Sequence, residues 1–159
     1  MDKPVNSLSR EHWIDLALRS LPENGIDKIT IAGLARELQV TKGSFYWHFK
    51  GREDLLQAML KRWEETGSEV VFREVDRVGG NAMRRLRHMA DIIFRRYGEQ
   101  LDLELALRAW GRKDPKILKA IRRADERRMT YMQNLFAEIY PDKKLAEAKA
   151  WLLFSLYVG

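Results

Sequence analysis

The spacing of the apolar residues constrains the fold most, because they recur every three or four positions along almost the whole chain. This spacing places apolar side chains on one face of an α-helix, whereas the sustained alternation typical of a half-buried β-strand does not occur in the sequence. The sequence therefore predicts an all-α fold. We expect helices over residues 10–21, 31–38, 42–48, 52–78, 82–97, 101–110, 115–140 and 143–158.

Local start and stop signals divide the chain further. Thr30 and Thr41 are good N-cap residues, and each precedes a short helix. Only a few residues separate these two helices, so residues 10–51 form three helices with a tight turn between the second and the third. This is the arrangement of a helix-turn-helix, in which the later helix enters the major groove of DNA. The pair Gly79-Gly80 marks the clearest break downstream.

Composition excludes several classes of function. The 159 residues include no Cys, which excludes disulfides, a thiol nucleophile and cysteine-ligated metals. The 3 His residues are dispersed, and neither a phosphate-binding glycine loop nor a catalytic constellation is apparent, so we expect no enzyme, cofactor or metal site. The longest apolar stretch, 150–158, is far below the ~20 residues of a membrane span, and residues 1–9 lack a signal sequence. We therefore expect a cytoplasmic protein without a membrane partner.

The charge distribution points to one local surface. The chain carries 29 Lys and Arg against 23 Asp and Glu, a net charge of +6, which permits a polyanionic partner. Residues 1–60 are balanced, with 8 basic and 8 acidic side chains, whereas residues 61–159 carry the whole surplus. Within the balanced part, however, residues 41–52 contain three basic side chains and no acid. This segment therefore forms a locally positive edge.

The segment from Thr41 to Lys50, TKGSFYWHFK, combines this charge with aromatic residues. Phe45 and Phe49 lie one helical turn apart, which places both on the inner side of the third helix. Tyr46 and Trp47 lie between them and must therefore point largely outward. Groups suited to phosphates and bases thus alternate with two structural phenylalanines.

With Thr30-Ile31-Ala32 at the start of helix 2 and Leu55-Leu56 early in helix 4, this segment resembles the TetR family of bacterial transcription regulators. The resemblance covers about residues 8–60. One departure is Gln39, where the family usually has a glycine in the turn between helices 2 and 3. If that turn needs a positive φ, Gln costs roughly 1 kcal/mol relative to Gly.

The resemblance implies that helix 3 and the start of helix 4 bind duplex DNA. Side chains suited to phosphate oxygens are Thr30, Thr41, Tyr46, His48, Lys50 and Arg52. Lys42 can donate to guanine and Trp47 can contact a thymine methyl, with Ser44 as a third side chain that could read bases. Gly43 would allow close approach to the duplex. The alternative for the basic residues is an ordinary solvated surface, and for His48 an ordinary surface or half-buried position.

The resemblance also assigns the domains. Residues 1–51 are expected to be the helix-turn-helix domain, and residues 52–159 an all-α ligand-binding and dimerisation domain that continues beyond Gly159. Aromatic and Met residues in this second domain form a core more often than a ligand site, although they would suit an apolar or aromatic effector. The candidate effector contacts are Met89, Phe94, Trp110, Met129, Met132 and Trp151.

Two further features concern the second domain. Asp125 and Arg128 lie one helical turn apart, so we expect them to pair with each other. The segment 143–158 is apolar on too many faces for a surface helix, which predicts that it is either buried all round or placed at a subunit interface.

These observations predict a ligand-responsive transcriptional regulator, expected to be a repressor. It would bind a palindromic operator as a homodimer and be released by a small-molecule effector. The alternative is an all-α small-molecule carrier or enzyme whose N-terminal helices are purely structural. That alternative predicts ligand binding without specific binding of duplex DNA.

Overall fold

The structure, a computed structural model, describes the backbone of residues 8–95 and 97–158 and the side chains of residues 8–95 and 101–158. All regular structure in these ranges is helical, which confirms the all-α prediction. The α-helices are α1 (Arg10–Asn24), α2 (Ile31–Glu37), α3 (Lys42–Tyr46), α4 (Arg52–Glu64), α5 (Val70–Val78), α6 (Ala82–Arg95), α7 (Tyr97–Gly111), α8 (Pro115–Ala137) and α9 (Lys143–Val158). A 3-10 turn covers Ile26–Lys28, and a π-helical segment covers Glu65–Glu69.

The chain divides into two compact units between Arg62 and Trp63, within α4. The boundary expected from the sequence, after residue 51, lies at the start of the same helix. The first unit contains α1, α2, α3 and most of α4. The second contains the π-helical segment and helices α5 to α9.

In the first unit, α1 extends beyond its expected end. It includes Pro22 and ends at Asn24, and the next residue, Gly25, has a φ of +70° and donates its N–H to the carbonyl of Leu21 at 2.9 Å. Proline lacks the N–H that would bond one turn back, but its fixed φ is compatible with a helix. The positive φ of Gly25, which a residue without Cβ adopts readily, therefore ends the helix.

The turn between α2 and α3 is a Schellman motif. The N–H of Gln39 donates to the carbonyl of Arg36 at 3.1 Å, and the N–H of Val40 donates to the carbonyl of Ala35 at 2.9 Å. Gln39 has a φ of +57°, the left-handed region that favours glycine. The suspected departure at this position is therefore a real backbone strain.

Replacing Gln39 with glycine is expected to raise the free energy of unfolding by about 1 kcal/mol, because glycine adopts a positive φ without a Cβ clash. Urea denaturation measures this change. The matched control is Gln57→Gly, an exposed position in the interior of α4, where glycine should instead destabilise by about 1 kcal/mol. A Gln39→Gly variant no more stable than the original chain would contradict the strain.

In the second unit, α8 packs against α6, α7 and α9, and α5 packs against α6. The start of α8 follows the sequence signal, because the Asp114 carboxylate accepts a hydrogen bond from the N–H of Lys116 at 2.9 Å. The main apolar cluster joins α5, α6, α8 and α9. Its buried members are Val75, Met89, Ile92, Ile93, Met129, Met132, Leu135, Phe136, Ala146, Ala150, Phe154 and Tyr157.

The single helix expected over residues 52–78 is interrupted by the π-helical segment. Gly67 and Ser68 within this segment are buried, and the Ser68 hydroxyl accepts a hydrogen bond from Arg128 Nε at 3.0 Å. The additional residue in a π-turn changes which side chains face inward. The segment therefore brings a small polar residue to a buried arginine on α8.

Helix α9 is only partly buried within one copy of the chain. Phe154 and Tyr157 are buried, whereas Trp151, Leu152 and Leu156 are about half exposed or more. The expectation that this helix is buried all round is therefore wrong for the single chain, because only one of its faces packs against α7 and α8. Its role at a subunit interface stays a prediction.

Candidate functional site

The orientation of α3 is fixed by its two phenylalanines. Phe45 is fully buried and Phe49 nearly so. Their rings stack with centroids 5.0 Å apart, and Phe45 also meets the Trp13 ring edge-on at 5.2 Å. Such aromatic pairs stabilise by about 0.5–1.5 kcal/mol beyond their buried area. Both phenylalanines thus anchor α3, as the sequence predicted.

The residues between these phenylalanines face solvent. Tyr46 is 61% exposed and Trp47 is 86% exposed, while His48 is half-buried. The outward orientation predicted for Tyr46 and Trp47 is therefore confirmed. Two adjacent aromatic rings are thus accessible from outside the domain.

The first turn of α3 is equally open. Thr41, Lys42 and Gly43 are exposed, and the Ser44 hydroxyl donates to the Thr41 carbonyl at 3.1 Å. A Cβ at Gly43 would meet only the Thr41 hydroxyl, at an ordinary contact distance of 3.5 Å. Packing inside this unit therefore does not require glycine here, and close approach of Gly43 to DNA stays a prediction.

Thr30 caps α2, as expected. Its hydroxyl oxygen accepts a hydrogen bond from the N–H of Gly33 at 3.1 Å, and the side chain is exposed. A hydroxyl that accepts one hydrogen bond can still donate its own hydrogen to another acceptor.

A hydrogen bond and an ion pair near the start of α4 fix the backbone at Lys50. The Asp54 carboxylate accepts a hydrogen bond from the backbone N–H of Lys50 at 3.0 Å and pairs with Arg10 at 3.4 Å. The Arg10 guanidinium also lies over the ring of Phe49, 4.6 Å from its centroid. The Lys50 side chain is exposed at this fixed turn.

Arg52 has a structural role that the sequence does not reveal. Its Nε donates to the carbonyl of Ile29 at 2.7 Å and its Nη2 donates to the carbonyl of Ile26 at 2.5 Å. These hydrogen bonds fasten the connection between α1 and α2 to the start of α4. Arg52 is half-buried, in contrast to Lys42 and Lys50, and its contact with DNA stays a prediction.

The candidate effector residues of the second unit do not form one group. Met89 and Met132 line a small apolar cavity of about 30 Å³. Met129 and Trp151 line an open groove between α8 and α9. Phe94 is exposed and Trp110 is buried, and neither lines the cavity.

A buried polar network lies beside this cavity. Glu104 and Arg128, both almost fully buried, meet at 3.1 Å between Glu104 Oε1 and Arg128 Nη1. The same carboxylate oxygen accepts hydrogen bonds from Trp63 Nε1 at 2.8 Å and from the Tyr157 hydroxyl at 2.9 Å. The Arg128 guanidinium also lies between the rings of Trp63 and Tyr157, 4.7 and 4.9 Å from their centroids.

The expected pairing of Asp125 with Arg128 is present but secondary. These side chains approach to 3.7 Å, whereas Arg108 donates two hydrogen bonds to the Asp125 carboxylate at 2.8 and 3.0 Å. The hydrogen bond to Asp125 raises the pKa of the Arg108 guanidinium, so Arg108 keeps its positive charge. Asp125 thus pairs mainly with Arg108 on α7, and Glu104 is the closer partner of Arg128.

Two other kinds of feature are absent from the described ranges. Within residues 8–95 and 101–158, no group of three or more His, Cys, Asp and Glu side chains could hold a metal ion. No helix in this part of the chain is long and apolar enough to cross a membrane.

The comparisons with known proteins concern mainly the first unit. Residues 14–59 match the family described as bacterial regulatory proteins, tetR family. The HTH-type transcriptional regulator TtgR of Pseudomonas putida is 34% identical over 83 residues, which are 49% of this chain and 39% of TtgR.

Two further relatives match over shorter segments. The HTH-type transcriptional regulator AcrR of Shigella flexneri is 32% identical over 68 residues, which are 43% of this chain and 30% of AcrR. The class D tetracycline repressor protein of Escherichia coli is 44% identical over 52 residues, which are 33% of this chain and 24% of the repressor. The matches thus span less than two fifths of each of these relatives.

The matched residues contain the helices that build the exposed surface. They include most of α1, all of α2 and α3, and the first turns of α4. The resemblance found in the sequence is therefore confirmed. Residues 14–59 thus carry the N-terminal domain of the TetR family of bacterial regulatory proteins.

Proposed function

We propose that the protein is a repressor that binds a palindromic DNA operator as a homodimer and is released by a small-molecule effector. The observation that carries the proposal is the outward face of α3, where Tyr46 and Trp47 are exposed while Phe45 and Phe49 anchor the helix. A short, rigidly anchored helix with exposed polar and aromatic groups suits insertion into a major groove. Because such a protein acts on the chromosome, the proposal also places it in the cytoplasm.

The proposed contacts go to two parts of the DNA, the phosphate backbone and the base edges. Phosphate oxygens are bound by Thr30, Thr41, Tyr46, His48, Lys50 and Arg52. These contacts supply affinity and fix the register of the protein on the duplex. In this proposal Lys42, Ser44 and Trp47 read base edges, and Gly43 permits the close approach that this requires.

The exposed face of α9 supports the dimer. Leu152 and Leu156, one turn apart, are 60% and 47% exposed, and Trp151 lies beside them. An apolar face of this kind on a regular helix is suited to bury against its copy about a two-fold axis. A palindromic operator then reflects the symmetry of the protein.

Replacing both Leu152 and Leu156 with glutamate is expected to convert the dimer to a monomer, because four carboxylates would be buried without partners at the interface. Size-exclusion chromatography with light scattering measures the mass. The control is Leu105→Glu, a half-exposed leucine on α7, which should leave the dimer intact. If the double variant keeps the mass of the original assembly, this face is not the interface.

Effector release follows from the geometry of a dimer on DNA. Two recognition helices must lie about 34–36 Å apart to enter successive major grooves. An effector that binds more tightly to a conformation with another separation lowers the affinity for the operator, and a coupling of about 1–3 kcal/mol is typical. The proposed transmitter is α4, which follows α3 directly and continues into the second unit.

Fluorescence anisotropy with palindromic duplexes from the DNA beside the gene tests the proposal. We expect a dissociation constant of about 10⁻⁸ to 10⁻¹¹ M, with an affinity that falls steeply as salt rises. Scrambled duplexes of equal length should bind at least about a thousandfold more weakly. Equal affinity for palindromic and scrambled duplexes would contradict the proposal and favour a ligand carrier or enzyme.

A further inference from the structure

The first turns of α8, together with the turn before it, carry most of the net positive charge of the chain. Residues 112–123 contain six basic side chains and one acidic side chain, Asp114. This segment therefore has a net charge of +5, compared with +6 for all 159 residues. Its basic side chains are all exposed: Arg112, Lys113, Lys116, Lys119, Arg122 and Arg123. The positive charge is thus concentrated in one short surface segment.

Three of these side chains, Lys116, Lys119 and Arg123, form a basic stripe along α8. Their spacing of i, i+3 and i+7 places them within about 60° of one another around the helix axis. At about 1.5 Å per residue, the stripe is about 10 Å long. The buried residues of the same turns lie on a different face of the helix: Ile117, Ala120, Ile121 and Ala124.

The side chains of the basic stripe have no ion pair with any residue that the structure describes. The nearest acidic side chains are engaged elsewhere. The Asp114 carboxylate accepts a hydrogen bond from the backbone N–H of Lys116, and Asp125 pairs with Arg108. The three cationic groups of the stripe are therefore available to a partner outside the chain.

The charge of the stripe disfavours α8 itself. Cations near the first turn of a helix face the positive end of its dipole. Lys119 also lies three residues from Lys116 and four residues from Arg123, distances at which like charges repel each other on a helix. Helix α4 has the favourable arrangement, with Glu53 and Asp54 in its first turn. The fold thus does not account for the charge of the stripe, whereas an anionic partner does.

The surroundings of the stripe favour a phosphate backbone over a membrane surface. A basic helix that binds an anionic membrane presents large apolar side chains as well. Within the described ranges, none of the large apolar side chains that are exposed belongs to α8. Each strand of duplex DNA carries a phosphate about every 3.4 Å along the helix axis, so a stripe of about 10 Å spans about three phosphates.

We propose that the basic stripe of α8 binds the phosphate backbone of duplex DNA without regard to sequence, as a second DNA contact in addition to the face of α3. The choice of DNA as the polyanion rests on the proposed function. The preference for a polyanion stands on the charge and exposure of the stripe. Because phosphates carry no sequence information, this contact adds affinity and leaves discrimination between sequences unchanged.

Fluorescence anisotropy of the full chain with a scrambled duplex, measured between about 50 and 200 mM salt, tests the proposal. The α8 variant is Lys116→Gln with Lys119→Gln and Arg123→Gln. Each phosphate contact contributes about 0.9 to the slope of log affinity against log salt, so we expect a slope shallower by about 2–3 for each bound chain. At about 0.1 M salt the affinity should fall more than about tenfold. An unchanged slope would overturn the proposal.

A matched variant on α6 removes the same amount of charge, with Arg84→Gln, Arg87→Gln and Arg95→Gln. These arginines are exposed, and Asp91 lies among them on the same face of the helix. The α6 variant should change the salt slope by less than about one. If both variants flatten the slope equally, the net charge of the chain and not the stripe causes the binding, and the proposal is overturned.

Thermal denaturation shows whether the α8 variant is folded. We expect a melting temperature no lower than that of the original chain, because the substitutions remove repulsion between like charges and bury nothing. A weaker affinity for the duplex in this folded variant therefore reports a lost contact.

Vesicles of phosphatidylglycerol and phosphatidylcholine provide the competing anionic surface. We expect the chain to stay in solution when these vesicles are sedimented. If the chain sediments with the vesicles, and the α8 variant loses this binding but keeps the original salt slope with the duplex, the stripe binds a membrane and the proposal is overturned.

The comparison of duplexes separates this inference from the proposed function. If palindromic and scrambled duplexes bind equally well but the α8 variant flattens the salt slope, operator recognition fails and the stripe is supported. If the palindromic duplex is preferred and the α8 variant binds both duplexes like the original chain, the proposed function stands and the stripe is overturned.

Discussion

Replacing Arg128 with methionine is expected to lower the free energy of unfolding by about 3–5 kcal/mol, the range for removing one partner of a buried ion pair. Methionine would occupy much of the space between the rings of Trp63 and Tyr157. It cannot pair with the Glu104 carboxylate, which is fully buried and lies 3.1 Å from Arg128 Nη1. Urea denaturation followed by circular dichroism measures the loss.

Two further variants identify the cause of this loss. Arg123→Met changes an exposed arginine on the same helix and should alter stability by less than about 0.5 kcal/mol. Arg128→Met combined with Glu104→Gln should be more stable than Arg128→Met alone, since the amide oxygen still accepts from Trp63 and Tyr157 without carrying a charge. If Arg128→Met behaves like Arg123→Met, the buried ion pair does not stabilise the second unit.

The parts of the fold that were predicted correctly depend on local signals. Phe45 and Phe49 one turn apart were sufficient to orient α3, and Asp114 was sufficient to start α8. Gln39 was suspected because one position of a short turn needs a positive φ, and the Schellman hydrogen bonds show why. In each case, the residues that determine the structure lie within a few positions of one another.

The parts that were missed depend on residues far apart in the sequence. Arg52 binds carbonyls 23 and 26 positions away, so no local spacing reveals that it fastens the first unit. The sequence similarly indicated Asp125 as the partner of Arg128, but the packing of α7 against α8 brings Glu104 closer. The packing of the helices thus determines which residue pairs with a buried charged side chain.

The candidate effector residues show that composition alone does not locate a ligand site. Methionine and aromatic residues fill a core as readily as they line a cavity, and composition does not distinguish the two. Met89 and Met132 line the cavity, while Phe94 faces solvent. Arg128 also lines this cavity, although its spacing predicts only a pairing with Asp125.

The double variant Tyr46→Phe with His48→Ala is expected to weaken operator binding about a thousandfold. Each substitution removes one proposed hydrogen bond to a phosphate, and a dimer loses both on each half-site. At about 1 kcal/mol for each hydrogen bond, the dimer loses about 4 kcal/mol of binding free energy. Fluorescence anisotropy with the palindromic duplex measures the change, and each single variant should give about the square root of this factor.

Two controls test whether this loss of operator affinity comes from contact with DNA and not from unfolding. Tyr46 is 61% exposed and its ring stays in place as phenylalanine, so thermal denaturation should show a nearly unchanged first unit. The matched control makes the same exchanges in the second unit, Tyr140→Phe with His88→Ala, and should leave operator affinity unchanged. If the two double variants bind the operator equally well, Tyr46 and His48 do not contact DNA. The exposed face of α3 between Phe45 and Phe49 would then not bind the duplex.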